Sequence, residues 1–167
     1  MEKILAESKN DFEFQNIIRE LIENDTVKSM EKYNQHCDTN CFEHCYHVSY
    51  ICYKVCKKLK LDYKAAARAG MLHDLFLYNW RENQEDIKGL HAFTHGNTAC
   101  KNASKLFDLS DKEKDMIKTH MFPVTIIPPK SREGFILTIV DKYCTVAELN
   151  EYLFVNFALL RTNLGVI

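Results

Sequence analysis

Residues 43–75 read EHCYHVSYICYKVCKKLKLDYKAAARAGMLHDL, and the fold is decided there. At about 100° per residue, Cys45, Val48, Ile51, Cys52, Val55, Cys56 and Leu59 gather in one broad apolar stripe, which predicts a helix from Cys41 to Leu59. His44 lies within the edge of that stripe and His47 just outside it. Asp62 then stands as an N-cap before an alanine-rich run, Tyr63 to Leu75, built from strong helix formers. Leu61, Ala65, Ala69 and Leu72 make its core face, and Asp74 falls in its final turn.

Working outward, Phe12, Phe14, Ile17, Ile18, Leu21 and Ile22 recur at helical spacing between Asn10 and Asn24, with Asn10 or Asp11 placed to cap. A short helix from about Thr26 to Lys32 follows, and Tyr33 to Asn40 reads as a loop. Downstream, residues 78 to 93 mix an aromatic pair (Tyr78, Trp80), a charged stretch and Gly89. Thr94 opens a helix to Phe107, and Ser110 with Glu113 forms a capping box for another running to about Met121. Pro123 and Pro128-Pro129 break the chain. Ser131 to about Leu160 is helical again, with Ile136, Val140, Tyr143, Cys144 and Ala147 facing inward. No stretch alternates with period two for long enough to predict a strand. The expectation is an all-α, single-domain helical bundle over residues 1–167, with a core at about 40–150 and a helical extension, 1–39, packed on it.

Composition agrees. The 167 residues are 46% apolar and 27% charged, enough to build a core and too apolar for disorder. Five glycines and three prolines fall far below the usual ~12% and argue against a sandwich or barrel, which needs frequent tight turns. A formal charge of −1 gives no basic excess with which to grip a nucleic-acid duplex, so an anionic ligand must be met by a local site. No run approaches the ~18–20 apolar residues of a membrane span. MEKILAESKNDFEF lacks the basic-then-apolar pattern of a secretory signal, and seven cysteines cannot all pair, so reduced thiols in the cytoplasm are expected.

Polar groups on inward faces carry the chemistry. His44 edges the first stripe, His73-Asp74 closes the alanine-rich helix, and Asp141 interrupts the apolar run Phe135-Ile136-Leu137-Thr138-Ile139-Val140. An ionised carboxylate there is costly unless a cation or several donors meet it. Two histidines and two carboxylates converging from three helices would do so by holding a divalent metal: iron, manganese, zinc, nickel or magnesium, as one or two ions. A lone histidine on an apolar face is more often a hydrogen-bonded core residue, and an adjacent His-Asp pair arises readily by chance. The ensemble separates the readings: a histidine, an HD doublet 29 residues on, then an aspartate in a hydrophobic helix.

That ensemble resembles the HD-domain superfamily of metal-dependent phosphohydrolases over roughly residues 40 to 150. The resemblance implies His44 as first ligand, since it stands four residues before the Val48-Ser49 pair, with His73, Asp74 and Asp141 as the others. His95 in THGNTA and His120 in IKTHMFP are similar to the downstream histidines of the bacterial dinucleoside-tetraphosphate hydrolases, and imply a second metal or a phosphate clamp. His91, four residues before His95, would join them if that helix starts early; otherwise it is a loop residue. Where many members continue HD with a hydrophobic residue, glycine and lysine, this chain reads His73-Asp74-Leu75-Phe76-Leu77-Tyr78. The pocket mouth is thereby more aromatic, and Phe76, Tyr78 and Trp80 could stack on a nucleobase or simply be core.

Other residues are weaker candidates. Cys37, Cys41 and Cys45 are four residues apart, with Cys52 and Cys56 after them, and spacings of four along a helix suit packing better than a tetrahedral zinc or an iron–sulfur site. His36 could overhang the site from its loop or be an ordinary surface residue. Lys130, Arg132 and Lys142 could offer charge to a phosphate, or be solvated surface.

By resemblance, the expected activity is hydrolysis of a phosphomonoester or phosphoanhydride, on a small phosphorylated molecule such as a nucleotide, by a metal-activated hydroxide. Asp74 would orient the attacking oxygen, and His95 or a neighbouring histidine would protonate the leaving one. A di-iron oxygenase on the same fold and a non-catalytic metal- or nucleotide-binding module are the alternatives. No membrane partner is expected, and a homodimer is left open.

Overall fold

Five capping side chains set the starts of five of the helices in the computed structural model, which describes residues 2–36, 39–80 and 90–163 and, within them, the side chains of 4–35, 39–80 and 90–153. Asp11 separates α1 (Glu2–Asn10) from α2 (Phe12–Glu23) and accepts from the Phe14 amide. Asn24 caps α3 (Asp25–Lys28), which passes into a 3-10 turn at Ser29–Lys32. β1 (Asn34–His36) and β2 (Thr39–Asn40) pair antiparallel, and Asn40 caps α4 (Cys41–Lys58) through the Glu43 amide. Asp62 caps α5 (Tyr63–Leu72). After α6 (His91–Leu106), Ser110 and Glu113 complete a capping box at α7 (Asp111–Thr119), and α8 (Arg132–Asn163) follows. The fold is all-α apart from the small hairpin.

α4 and α5 form the centre, and small residues let their backbones touch. A Cβ on Gly70 would meet Ser49 Cα at 2.8 Å, while Ser49 Oγ donates to the Ala67 carbonyl at 2.7 Å. α8 packs across α4, α7 against α5, and α6 against α7. α2 lays Phe14, Ile18 and Leu21 on the core, with the Phe14 ring 4.9–5.7 Å from those of Tyr46, Tyr50 and Tyr53. Among the described residues, no helix is long and apolar enough to cross a membrane.

Several sequence expectations are corrected. Tyr33 to Asn40 holds a hairpin rather than a plain loop; strands of three and two residues are too short to show an alternating pattern. α1 lies ahead of the first expected helix. α5 ends at Leu72, so Asp74 stands beyond the helix instead of in its last turn, and α6 begins at His91 rather than Thr94. Phe12, at the first position of α2, Leu59, just past the end of α4, and Tyr143, on the outer side of α8, are exposed; Leu137 and Glu148 face inward on α8 instead. Gly89 and the charged stretch before it, Cys37 and the His36 side chain lie outside the described residues.

Candidate metal centre

Five segments converge. α4 supplies His44, the end of α5 supplies His73 and Asp74, α6 supplies His91 and His95, the end of α7 supplies His120, and α8 supplies Asp141. Gly96 lets α6 approach α7, since a Cβ there would meet the Lys118 and Ile117 carbonyl oxygens at 3.0 and 3.1 Å. His44, His73, Asp74, His95, His120 and Asp141 are all buried.

Hydrogen bonds orient each ring the same way. His73 Nδ1 donates to the Gly70 carbonyl at 2.8 Å, His95 Nδ1 to that of His91 at 2.7 Å, and His120 Nδ1 to that of Ile117 at 2.7 Å. A carbonyl can only accept, so each Nδ1 carries a proton and each Nε2 turns inward. His44 Nδ1 meets both oxygens of Glu148 at 3.0–3.1 Å, and its Nε2 lies 3.1 Å from Asp141 Oδ1. A carboxylate behind a histidine that faces a centre is the arrangement that fixes ring orientation and raises basicity in metal sites.

The inward atoms crowd one another. His95 Nε2 and His120 Nε2 are 2.8 Å apart, and Asp74 Oδ1 lies 3.3 and 3.5 Å from them. His73 Nε2 is 3.5 Å from both Asp74 Oδ2 and Asp141 Oδ1. Yet His73 Nε2 and Asp74 Oδ1, both buried, make no hydrogen bond. Burying such atoms unmatched costs roughly 1–3 kcal/mol each, a cost that a proton or a cation between them removes. Two triads, His44/His73/Asp141 and His73/Asp74/His120, offer ligand atoms within 4.8 Å of one another. Imidazole nitrogens with carboxylate oxygens suit a divalent ion of borderline to hard character, so the donor set fits a metal.

Electrostatics supports that fit. Burial opposes charge on His44 and His73, but Asp141 and Glu148 around His44, and Asp74 beside His73, lift both rings well above the usual histidine range. Burial likewise works against Asp74 and Asp141. The rings of His73, His95 and His120 nevertheless hold Asp74 at about 2, and His44 and His73 keep Asp141 well below the usual carboxylate range. His120 falls to about 3 through burial and the neighbouring His73.

A model of the HD domain family matches residues 41–145. The chain belongs to the HD domain family. No curated protein and no solved structure matches it. The matched span runs from the first residue of α4 to just beyond Asp141, and so takes in His44, His73, Asp74, His91, His95, His120 and Asp141, while Glu148 lies three residues past its end.

Within this HD domain a cavity of about 420 Å³ opens onto the cluster, lined by Gln35, Asp74, Trp80, His91, His95, His120, Met121, Val124, Asp141, Lys142 and Val146, among others. Trp80, His91 and His95 stack in sequence, with centroids 5.2 and 4.4 Å apart and planes within 17°. The early start of α6 is what puts His91 there. Tyr78 pairs its hydroxyl with His91 Nδ1 at 3.0 Å, and buried Phe76 abuts His91 edge-on; both support His91 and do not line the cavity. Lys142 reaches the rim, its Nζ donating to the His120 carbonyl at 3.1 Å. Lys130 lines a separate cavity and Arg132 is exposed at the first position of α8, so neither is brought to the cluster. His47 lines a third cavity and sits 3.9 Å from Glu148, leaving His44 as the ring from α4 that faces the centre.

Sequence reasoning missed two residues. Glu148 stands seven residues after Asp141 on the same helix face, a signal that was available. Gln35, whose carboxamide donates to Asp74 Oδ2, lies on a strand too short to read. Cys41, Cys45, Cys52, Cys56, Cys100 and Cys144 are buried free thiols; the Cys41 thiol donates to the Asp74 carbonyl at 3.3 Å, and Cys45 lies 3.7 Å from His73 Nδ1.

Proposed function

We propose that this HD domain is a metal-dependent phosphohydrolase acting on a phosphomonoester or phosphoanhydride, with a nucleotide as the substrate class. The convergence of His73, His95 and His120 Nε2 on Asp74, at the floor of a cavity sized for a small ligand, carries this reading. His44, His73, Asp74 and Asp141 would hold the first ion, and His95 and His120 a second ion or a phosphoryl oxygen. A bound divalent ion supplies Lewis acidity and brings the pKa of a water from ~15.7 towards ~7.

The protein's own groups do the rest. Gln35 holds Asp74 Oδ2, which leaves Oδ1 facing the histidines and the attacking water. Glu148 holds His44 in the tautomer that presents Nε2. Lys142, the one lysine or arginine among the described cavity residues, sets positive charge at the rim where a phosphoryl group enters. His91, braced by Tyr78 and Trp80, lines the cavity as the candidate acid towards the leaving oxygen, a role suited to a group whose ordinary pKa is ~6.5. The His95-Gly96 and His120 positions, similar to those of the dinucleoside-tetraphosphate hydrolases, put dinucleoside polyphosphates first among substrates to try, and a cytoplasmic setting would supply them.

Phosphate release from mononucleotides, dinucleoside tetraphosphates and a chromogenic phosphomonoester, with manganese or iron(II), tests the proposal. Turnover should vanish in chelator and in Asp74→Ala. Undiminished turnover by Asp74→Ala, or oxygen consumption with no phosphate released by the wild type, would contradict it.

A further inference from the structure

α8 is apolar on two opposite faces. Leu137, Val140 and Cys144 turn into the core beside Asp141 and Glu148. On the other side Phe135, Ile139, Val146, Leu149 and Leu153 are each between 42% and 65% exposed. With Lys142 they are spaced four, three, four, three and four residues apart, which is the a/d repeat of a coiled-coil seam. Apolar residues scattered singly on a surface need no account, but an aligned stripe marks a contact face. α8 is not apolar enough to cross a membrane, so its cover must lie alongside it.

We infer that a second copy of this chain provides the cover, α8 packing on α8 about a two-fold axis. The stripe from Phe135 to Leu153 is about 27 Å long at ~1.5 Å rise per residue, room for several turns of knobs-into-holes contact. Half-exposed large side chains offer on the order of 100 Å² each, so the stripe with the exposed Tyr143 on its flank presents about 600 Å². That area reaches the low end of stable interfaces, about 600 Å² per partner.

Charge favours self-pairing. Lys142 is the stripe's one charged member, and its Nζ is drawn back onto the His120 and Thr138 carbonyls, leaving its aliphatic stem at the seam. An acidic or basic partner finds little to match there, whereas an identical apolar stripe does. A parallel, in-register pair would set Lys142 against its own copy, so the helices run antiparallel. Val146 belongs both to this face and to the wall of the cavity above the histidine cluster, so the second copy closes one side of that cavity.

Sedimentation velocity of the full chain at increasing concentration tests the inference independently of any activity. The wild type should show twice the 19.5 kDa chain mass. The double variant Ile139→Glu, Leu153→Glu should show the single mass with wild-type helix content by circular dichroism, since both side chains are exposed. Phe135→Lys, at the other end of the stripe, provides a second disruption should the double variant misfold. A wild type that stays monomeric overturns the inference, as does a folded variant that stays dimeric. Monomers that sediment with phosphatidylcholine–phosphatidylglycerol vesicles would assign the face to lipid and overturn it too.

Discussion

Glu148 and His44 show what single residues contribute. The carboxylate grips His44 Nδ1 through both oxygens, so removing it frees the ring to turn and to change tautomer. Such supporting groups are worth roughly 10–100-fold in metal affinity, and Glu148→Ala should lose that much in a chelator-competition titration; unchanged affinity would refute the role. The proton balance gives a second expectation. His44 and His73 titrate well above 6.5 in the metal-free protein, so near neutral pH both carry a proton where an ion would bind, and binding must expel it. Affinity therefore rises with pH up to the folded pKa, about tenfold per pH unit for each proton released. An affinity flat between mildly acidic and mildly alkaline pH would rule this out. The four principal candidates were legible because a histidine or carboxylate within an apolar stripe is conspicuous. Gln35 was not, because a neutral amide on a three-residue strand leaves no pattern.

At the scale of elements, close approach of backbones does the positioning. Gly70 lets α5 lie on α4 at Ser49, and a methyl there would press on backbone atoms that cannot swing aside. Gly70→Ala should cost about 1–3 kcal/mol in denaturant unfolding, the usual range for overpacking, and a midpoint equal to wild type would contradict the close packing. Gly96 does the same between α6 and the end of α7. Gly96→Ala should move His95 away from His120 and weaken metal binding more than it lowers stability, as read by titration beside a thermal melt. Helix starts were legible from Asp11, Asp62 and Ser110, each a short side chain that accepts from a first-turn amide with no partner inside the helix. The ends were less so: α5 stops at Leu72 although its pattern continues, because His73 Nδ1 takes the Gly70 carbonyl and the chain turns to aim Asp74. Tyr143 read as core, yet α8 presents an apolar residue on every side and periodicity alone could not choose between them.

For the whole molecule, six buried titratable groups held close together store unfavourable contacts that an ion relieves. Binding to the folded chain alone stabilises it by RT ln(1 + [L]/Kd), about 2.7 kcal/mol at a hundredfold excess over Kd. At about 2–4 °C per kcal/mol, saturating manganese or iron(II) should raise the melting temperature by roughly 5–10 °C, and Asp74→Ala should abolish most of that shift. The most direct test of the central claim is metal content by mass spectrometry of the untagged protein, wild type beside Asp74→Ala, after equilibration with a divalent ion and removal of excess. The account predicts one or two equivalents retained by the wild type and a clear loss in the variant. A wild type that retains none, or a variant that retains as much, would contradict it.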